Sequence, residues 1–271
     1  MDITFFAWGD MHFGYEPKFF TDDLRGNIVR QMNELPGWPF PGDIGETVKE
    51  PDFVVACGDM VDGEPEANEQ YELDTYKYFS KKLKYRQYEV LGNHDTGELF
   101  QNYFIDKYKG KSYSFDRQDI HFISLNSDYD KDEVGYVSDS DLKWLNNDLE
   151  KLAPMDRVVI FIHTRIDSLK NTNQLLKVLE NNNVILIVSA HKHKPDVFEY
   201  EGINCISIGH CRNHPIDPEY GRNFYVVRIQ ENRIVAVPWR WDFMAWEQGQ
   251  RWTNSQEVSK RFILDITIRG E

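Results

Sequence analysis

The sequence predicts an α/β protein in which two β-sheets pack face to face with helices outside. Two patterns carry that expectation. Up to about Pro195, short β-rich apolar runs alternate with helical patterns; beyond it, strands follow one another through turns. A third observation sets the number of units. No internal repeat, low-complexity tract or Gly/Ser-rich linker interrupts the 271 residues, so one domain is expected over residues 1–271. That length suffices to bury a sizeable core.

Taken in order, the first element is the run Ile3–Trp8. It lacks a basic leader and a small-residue cleavage site, so it reads as a strand and not as a signal peptide, and the expected location is cytoplasmic. Leu24, Ile28, Met32 and Leu35 recur at helical spacing. Phe53–Cys57, Tyr88–Leu91, Ile120–Leu125 and Arg157–Ile162 are the next strands. A helix begins after Ser138 with Leu142, Leu145, Leu149 and Leu152 on one face. Leu169, Leu175, Leu176 and Leu179 mark a third helix, and Val184–Ser189 the strand after it. Strands separated by helices imply a largely parallel arrangement in this part. Further on, Val197–Tyr200, Ile203–Ile208, Phe224–Ile229, Arg233–Val237 and Phe262–Ile268 read as strands, with a hairpin between Ile229 and Arg233. Residues 196–271 are therefore expected to be antiparallel and to complete the second sheet. Pro36–Pro51, rich in Pro and Gly, and Trp239–Thr253, with four tryptophans, read as surface loops or caps.

Composition narrows the class of function. The 41% hydrophobic and 14% aromatic content fits a folded protein. No apolar run approaches the roughly 20 residues of a membrane-spanning helix, so no membrane partner is expected. Cys57, Cys205 and Cys211 form no Cys-x-x-Cys pair and make a poor disulfide framework. A formal charge of −14 argues against a broad basic face for nucleic acid. It leaves room for a small anionic substrate, because bound cations reverse the field locally.

Metal-capable residues follow the predicted strands one after another, at the edge where α/β folds place ligands. Gly9-Asp10-Met11-His12 follows the first, Gly58-Asp59-Met60-Val61-Asp62-Gly63 the second, and Gly92-Asn93-His94-Asp95 the third. His163 follows Val158–Ile162, and Ala190-His191-Lys192-His193 follows Val184–Ser189. Each fragment alone has an ordinary loop reading; five in succession at strand ends point to a metal site. Mixed carboxylate, imidazole and amide ligands suit iron, zinc or manganese. Two such ions about 3.5–4 Å apart can share a ligand, acidify a water and clamp phosphoryl oxygens.

The series Asp10-x-His12, Gly58-Asp59, Gly92-Asn93-His94-Asp95, His163 and His191-x-His193 resembles the signature of the calcineurin-like metallophosphoesterases. It runs in the family's order over about two-thirds of the chain. The resemblance implies a four-layer sandwich of two mixed sheets flanked by helices, with a dinuclear centre at the sheet edge. It implies two divalent or trivalent ions, of Mn, Fe or Zn, and a small phosphate ester as substrate. Asp10, His12 and His193 would match the ligands of one ion, Asn93, His163 and His191 those of the other, and Asp59 the bridge. His94 would match the histidine that contacts the phosphate or protonates the leaving group, and histidine is the side chain that does so near neutrality with least perturbation. Asp95 would orient or polarise that imidazole. A nuclease on the same fold and a non-catalytic metal-binding interaction protein are the alternatives; the first would need a basic groove, the second would be expected to lose ligands. The chain departs from the family at Ala190, where Gly is usual, and at Thr164-Arg165, where a Pro is frequent.

Several nearby residues carry a second reading. Arg165, Lys192, Lys194 and Arg212 could meet a further anionic group of the substrate, though loop cations are mostly solvated. His210 and His214 read as loop or core histidines and His121 as structural. Asp62 is either a hydrogen-bond partner of a ligand or a turn residue. Trp239, Trp241, Trp246 and Trp252 are read as packing on a sheet face.

Overall fold

The computed structural model describes residues 1–14, 21–63, 68–127, 135–212, 221–246 and 262–268. Within them, one sheet runs through β1 (Asp2–Trp8), β2 (Phe53–Cys57) and β3 (Gln87–Val90), together with β10 (Asn223–Gln230), β11 (Arg233–Arg240), β12 (Ala245–Trp246) and β13 (Leu264–Thr267). Its order is β12-β11-β10-β1-β2-β3, and β12 and β13 share the far edge of β11. The second sheet contains β4 (Tyr113–Arg117), β5 (Ile120–Leu125), β6 (Arg157–Ile162), β7 (Asn183–Ser189), β8 (Asp196–Tyr200) and β9 (Ile203–Ser207). Its order is β4-β5-β6-β7-β9-β8. Both sheets are mixed: β1–β2–β3 and β5–β6–β7–β9 are parallel, the remaining pairs antiparallel.

Alternation along the strands separates the layers. In β6, Val159 and Phe161 face the first sheet, while Val158, Ile160 and Ile162 join a separate apolar cluster on the outer side. Phe122 and Ile123 divide in the same way on β5. Between the sheets, Phe5 stacks on Phe53 at 5.1 Å and meets Phe161 edge-on at 5.5 Å, an arrangement that suits the ring quadrupoles. β1 has neighbours on both sides and is buried on both faces, which explains its unbroken apolar run from Phe5 to Trp8. A bulge between Val158 and Val159 leaves Ile185 as the extra residue of β7.

Among the described residues, five α-helices complete the layers. α1 (Thr21–Glu34), α2 (Glu69–Ser80) and α3 (Glu98–Tyr108) add Ile28, Met32, Tyr76, Phe79, Phe100 and Phe104 to the core of the first sheet. α4 (Asp139–Leu149) and α5 (Thr172–Leu179) cover the outer face of the second with Leu145, Leu149, Leu175 and Leu179. α4 starts as its sequence predicts, with the Ser138 hydroxyl accepting from Asp141 N at 3.0 Å. No helix among the described residues is long and apolar enough to cross a membrane.

One expectation is corrected. Residues past 195 do not complete a single second sheet: β8 and β9 extend the second, while β10–β13 join the first beside β1. Nor is the region wholly antiparallel, because β9 runs parallel to β7. Turn signals identify strands that pair with each other; they do not say which sheet receives the hairpin. The β8–β9 hairpin docks by its second strand, leaving the more exposed β8 at the edge. α2, α3 and β4 are absent from the sequence reading: α2 and α3 have weak apolar periodicity, and β4 is a half-exposed edge strand without an apolar run. The Pro36–Pro51 loop packs on the first sheet, where Trp246 Nε1 donates to Pro39 O at 2.9 Å.

Candidate metal centre

The C-terminal ends of β1, β2, β3, β6 and β7 meet where the two sheets come together. The loops that leave them are tied by backbone hydrogen bonds. Asp10 N donates to Gly58 O at 3.1 Å, His12 N to Asp59 O at 3.0 Å, Ala190 N to His163 O at 2.9 Å and Cys211 N to Gly9 O at 3.2 Å. Asp10, His12, Asp59, His191 and His193 all have positive φ, between 46° and 68°. L-residues rarely adopt that conformation, and it costs energy unless the surroundings enforce it. Ala190 is not among the positive-φ residues, so its methyl is accommodated where the family usually has glycine. Gly58 does have positive φ (92°), and a Cβ there would run into His163 Nδ1.

These loops bring together all seven residues predicted as ligands. Asp10, His12, Asp59 and His193 form one group that could hold an ion, and Asp59, His163 and His191 another, each with its ligand atoms within 4.8 Å of one another. Asp59 Oδ2 lies 3.5 Å from His12 Nε2 and 3.3 Å from His163 Nε2, so one carboxylate belongs to both groups. Around the first group, His193 Nε2 is 3.1 Å from Asp10 Oδ1. Around the second, His163 Nε2 is 3.2 Å from Asn93 Oδ1 and 3.3 Å from His191 Nδ1. Separations of this size are those of neighbouring donors around an ion with bonds of about 2.0–2.2 Å.

The protonation pattern gives an independent test of fit. His163 Nδ1 donates to Cys57 O at 2.8 Å, so in the neutral ring Nε2 presents only a lone pair toward Asp59 and Asn93. Likewise His12 Nδ1 lies 3.1 Å from Asp62 Oδ1, and its buried Nε2 has no hydrogen-bond partner. Asp10 Oδ1 is also buried, and its nearest polar neighbour is the ring nitrogen His193 Nε2 at 3.1 Å. Acceptors facing acceptors inside a protein are reconciled by a cation, and these residues fit one. The Nδ1 contacts fix the imidazoles in ligating orientation.

Electrostatics point the same way. Burial holds His12 well below the usual histidine range and His191 at about 4, the neighbouring His163 adding to the second shift. Both rings are thus neutral, the form that ligates metals. Burial works to raise Asp10 and Asp59, but positive charge at the adjacent imidazoles, His193 for Asp10 and His163 for Asp59, outweighs it and holds both low, and a cation between neutral rings would supply that same charge. Asp62, also buried, is raised by that burial.

His94 stands at the rim of the first group, its ring edge-on to His12 with centroids 4.6 Å apart. Its backbone N donates to Asp59 Oδ1 at 2.9 Å. Asp95 does not orient it. The Asp95 carboxylate is fully buried and accepts from Val61 N at 3.0 Å and Gly92 N at 2.9 Å, which ties the second and third loops together. The partner of His94 Nδ1 is instead the Asp62 carbonyl at 2.6 Å. Asp62 therefore supports both His12, with its side chain, and His94, with its backbone.

Of the four basic residues near the motifs, Arg212 is the one brought to the cluster, with Nη2 3.4 Å from His193 Nδ1. His210 is buried beside it, donating from Nδ1 to Arg212 O at 2.8 Å. Arg165 pairs with Asp167 and Asp196, and Lys192 and Lys194 are exposed. Arg25 escaped the sequence reading because it sits within a helical pattern. It is fully buried, and its Nε and Nη2 donate to Met11 O (2.5 Å) and His12 O (2.6 Å), holding the first loop. His121 pairs with Asp148 and Asp116, as a structural histidine, and Trp239 donates from Nε1 to Gln31 Oε1 at 2.7 Å in the packed sheet face. His214 and Trp252 lie outside the described residues.

A two-sheet sandwich with metal-capable side chains converging at its strand ends defines the class of protein. The profile of the calcineurin-like phosphoesterases matches residues 3–195, and the chain belongs to that family. It is 28% identical over 155 residues to a 3′,5′-cyclic-nucleotide phosphodiesterase of Nostoc sp., covering 53% of this chain and 56% of that one. It is 22% identical over 185 residues to a "probable cyclic nucleotide phosphodiesterase" of Rhodococcus erythropolis, covering 63% and 61%. The chain thus spans under two-thirds of the length of either relative. Among solved structures, a dimetal phosphatase from Danio rerio superposes with a TM-score of 0.66 at 16% identity, over 98% of this chain and 99% of that one. GAP50, the anchor in the inner membrane complex of Plasmodium, superposes with a TM-score of 0.61 at 15% identity, over 100% and 90%. At such identities these likenesses show the fold.

Proposed function

We propose that the protein is a phosphoesterase with a dinuclear metal centre that hydrolyses a small phosphodiester, a cyclic nucleotide being the leading candidate. The observation that carries the reading is the sharing of Asp59 by two groups of metal-capable side chains. Asp10, His12 and His193 would hold one ion, Asn93, His163 and His191 the other, and Asp59 would bridge them. When bound, the ions would supply Lewis-acid activation of water and charge for the phosphoryl oxygens.

This chain's own residues account for the rest. His94 Nδ1 is committed to the Asp62 carbonyl, which leaves Nε2 as the atom that carries a proton to the departing oxygen. Asp62 fixes the ring angle through its backbone while its carboxylate holds His12. Arg212 lies beside His193, where a guanidinium can accompany an anionic substrate into a chain of net charge −14. The two relatives named as cyclic-nucleotide phosphodiesterases favour the diester over the monoester. Retention of every predicted ligand together with His94 favours catalysis over a purely structural use of the fold.

The test is a screen of purified protein, with added manganese, against an aryl phosphomonoester, the matching phosphodiester and 3′,5′-cyclic nucleotides. Turnover of the diester and cyclic nucleotides above the monoester is expected. Activity confined to the monoester would overturn the diester assignment, and a metal content near zero after loading would overturn the reading as a whole.

A further inference from the structure

Asn126 directly follows β5 and is 1% exposed, yet neither Oδ1 nor Nδ2 of its side chain has a hydrogen-bond partner. A buried carboxamide with both ends unmet is unusual, because such groups are almost always paired with protein or with ordered water. Register shows where it faces. In the parallel β5–β6 pair, Phe122 lies beside Val159, Ser124 beside Phe161 and Leu125 beside Ile162, so Asn126 is level with His163. Phe122, Val159 and Phe161 belong to the core between the sheets, which puts Asn126 on the inner face. Two residues earlier on that face, Ser124 Oγ donates across to Glu89 O of β3 at 3.0 Å. His163 in turn reaches the end of β2 through Cys57 O. One strand further along each sheet, Asn126 is thereby aimed at the end of β3, where Leu91-Gly92 leads into Asn93.

We propose that Asn126 is a positioning residue for the second ion: its carboxamide acts through one bridging water on Asn93, keeping Asn93 Oδ1 turned toward His163 and Asp59. The inference rests on the dinuclear reading above. The chemistry is specific. An amide that ligates through its oxygen has its NH2 group left to be met, and Asn126 Oδ1 with a water supplies the acceptor. Asn126 Nδ2 meets the same water's lone pair, so all polar atoms of the slot are satisfied together. Backbone bonds already hold the adjacent loop, Asn126 N donating to Ser112 Oγ at 3.0 Å and Thr164 N to Ser127 Oγ at 3.1 Å. The unmet carboxamide is therefore not required to shape the turn.

The experiment compares wild type, Asn126→Leu and Asn126→Asp, each prepared metal-free and titrated with Mn2+, with bound ion counted and thermal melting followed with and without metal. For Asn126→Leu, the first ion binds as in wild type, the second weakens by about 10–100-fold, as loss of an outer hydrogen-bond partner does. The metal-free melting temperature is unchanged or higher, because Asn126 makes no direct side-chain hydrogen bond to the protein that the leucine would remove. Asn126→Asp, which keeps an acceptor, retains the second ion more tightly than Asn126→Leu. Two-ion binding at wild-type affinity in Asn126→Leu would overturn the proposal. So would a lower metal-free melting temperature with both ions lost alike, since that is the signature of a merely structural residue. Wild type failing to take two ions would instead overturn the dinuclear reading.

Discussion

His94, at the rim of the cluster, is the side chain whose removal is expected to separate binding from turnover. Its imidazole lies beside His12 but is absent from the pair of groups built on Asp59, and its ring nitrogen Nδ1 is held by a backbone carbonyl. His94→Ala is therefore expected to keep both ions while turnover falls by about 10²–10⁴-fold, the usual contribution of a positioned acid or base. Metal analysis alongside steady-state rates checks this; loss of metal in the variant would place His94 among the ligands instead. At this scale the sequence is readable wherever the residue type states its chemistry. Carboxylates and imidazoles after successive strands announce a metal site, and all seven predicted ligands converge. The supporting residues are less readable, because their roles depend on what lies across the fold. Asp95 and Asp62 look alike as loop aspartates, and only the direction of each carboxylate shows that the first ties backbone together while the second braces His12. Arg25 gives no sequence signal at all.

Among the elements, β5 and α4 are joined by a charge that depends on pH. His121 on β5 is flanked by Asp148 of α4, with Nε2 2.9 Å from Oδ2, and by Asp116 of β4, with Nδ1 2.7 Å from Oδ1. Burial works to lower the His121 pKa, but hydrogen bonds to Asp148 and Asp116 outweigh it and raise it. The sign follows from linkage. A raised folded-state value means the folded chain binds the proton more tightly, so this stabilisation is complete below the unfolded value of about 6.5 and fades as pH rises through the folded one. His121→Gln should lower stability by about 1.5–3 kcal/mol at pH 6, the range for hydrogen bonds to charged groups. The deficit should narrow by pH 9, as read from denaturant unfolding at the two pH values, and a gap that stays constant would rule the ion pair out as its source. Strands with unbroken apolar runs and helices with a clear leucine face were visible from sequence. α2, α3 and β4 were not, because tyrosines, charges and edge exposure dilute their periodicity.

For the whole molecule, the centre is the place where both sheets contribute to one charge cluster: β1, β2 and β3 from the first, β6 and β7 from the second. Ions bound there would cross-link the layers and stabilise only the folded chain. With free metal at about a hundred-fold excess over its dissociation constant, the gain is about 2.7 kcal/mol. Chelation should accordingly lower the melting temperature by several degrees, and re-addition of manganese should restore it; a melting temperature indifferent to metal would count against tight binding. The layered architecture was readable from the alternation of strands and helices, whereas the assignment of β10–β13 to the first sheet was not, since a hairpin carries no record of which edge it will join. That assignment has a consequence for how the chain reaches its final state. β1 sits between β2 and β10, with Asp2 beside Gln230, and Asp10 Oδ2, in the loop after β1, accepts from His191 N, in the loop after β7 of the other sheet. The first loop of the centre is thus assembled from partners distant along the polymer, and contacts of such long sequence separation form slowly. Competence to capture the ions should arrive late in refolding, after most helical signal has recovered, and an open flank of β1 is the surface on which misassembly would start while it waits for its partner.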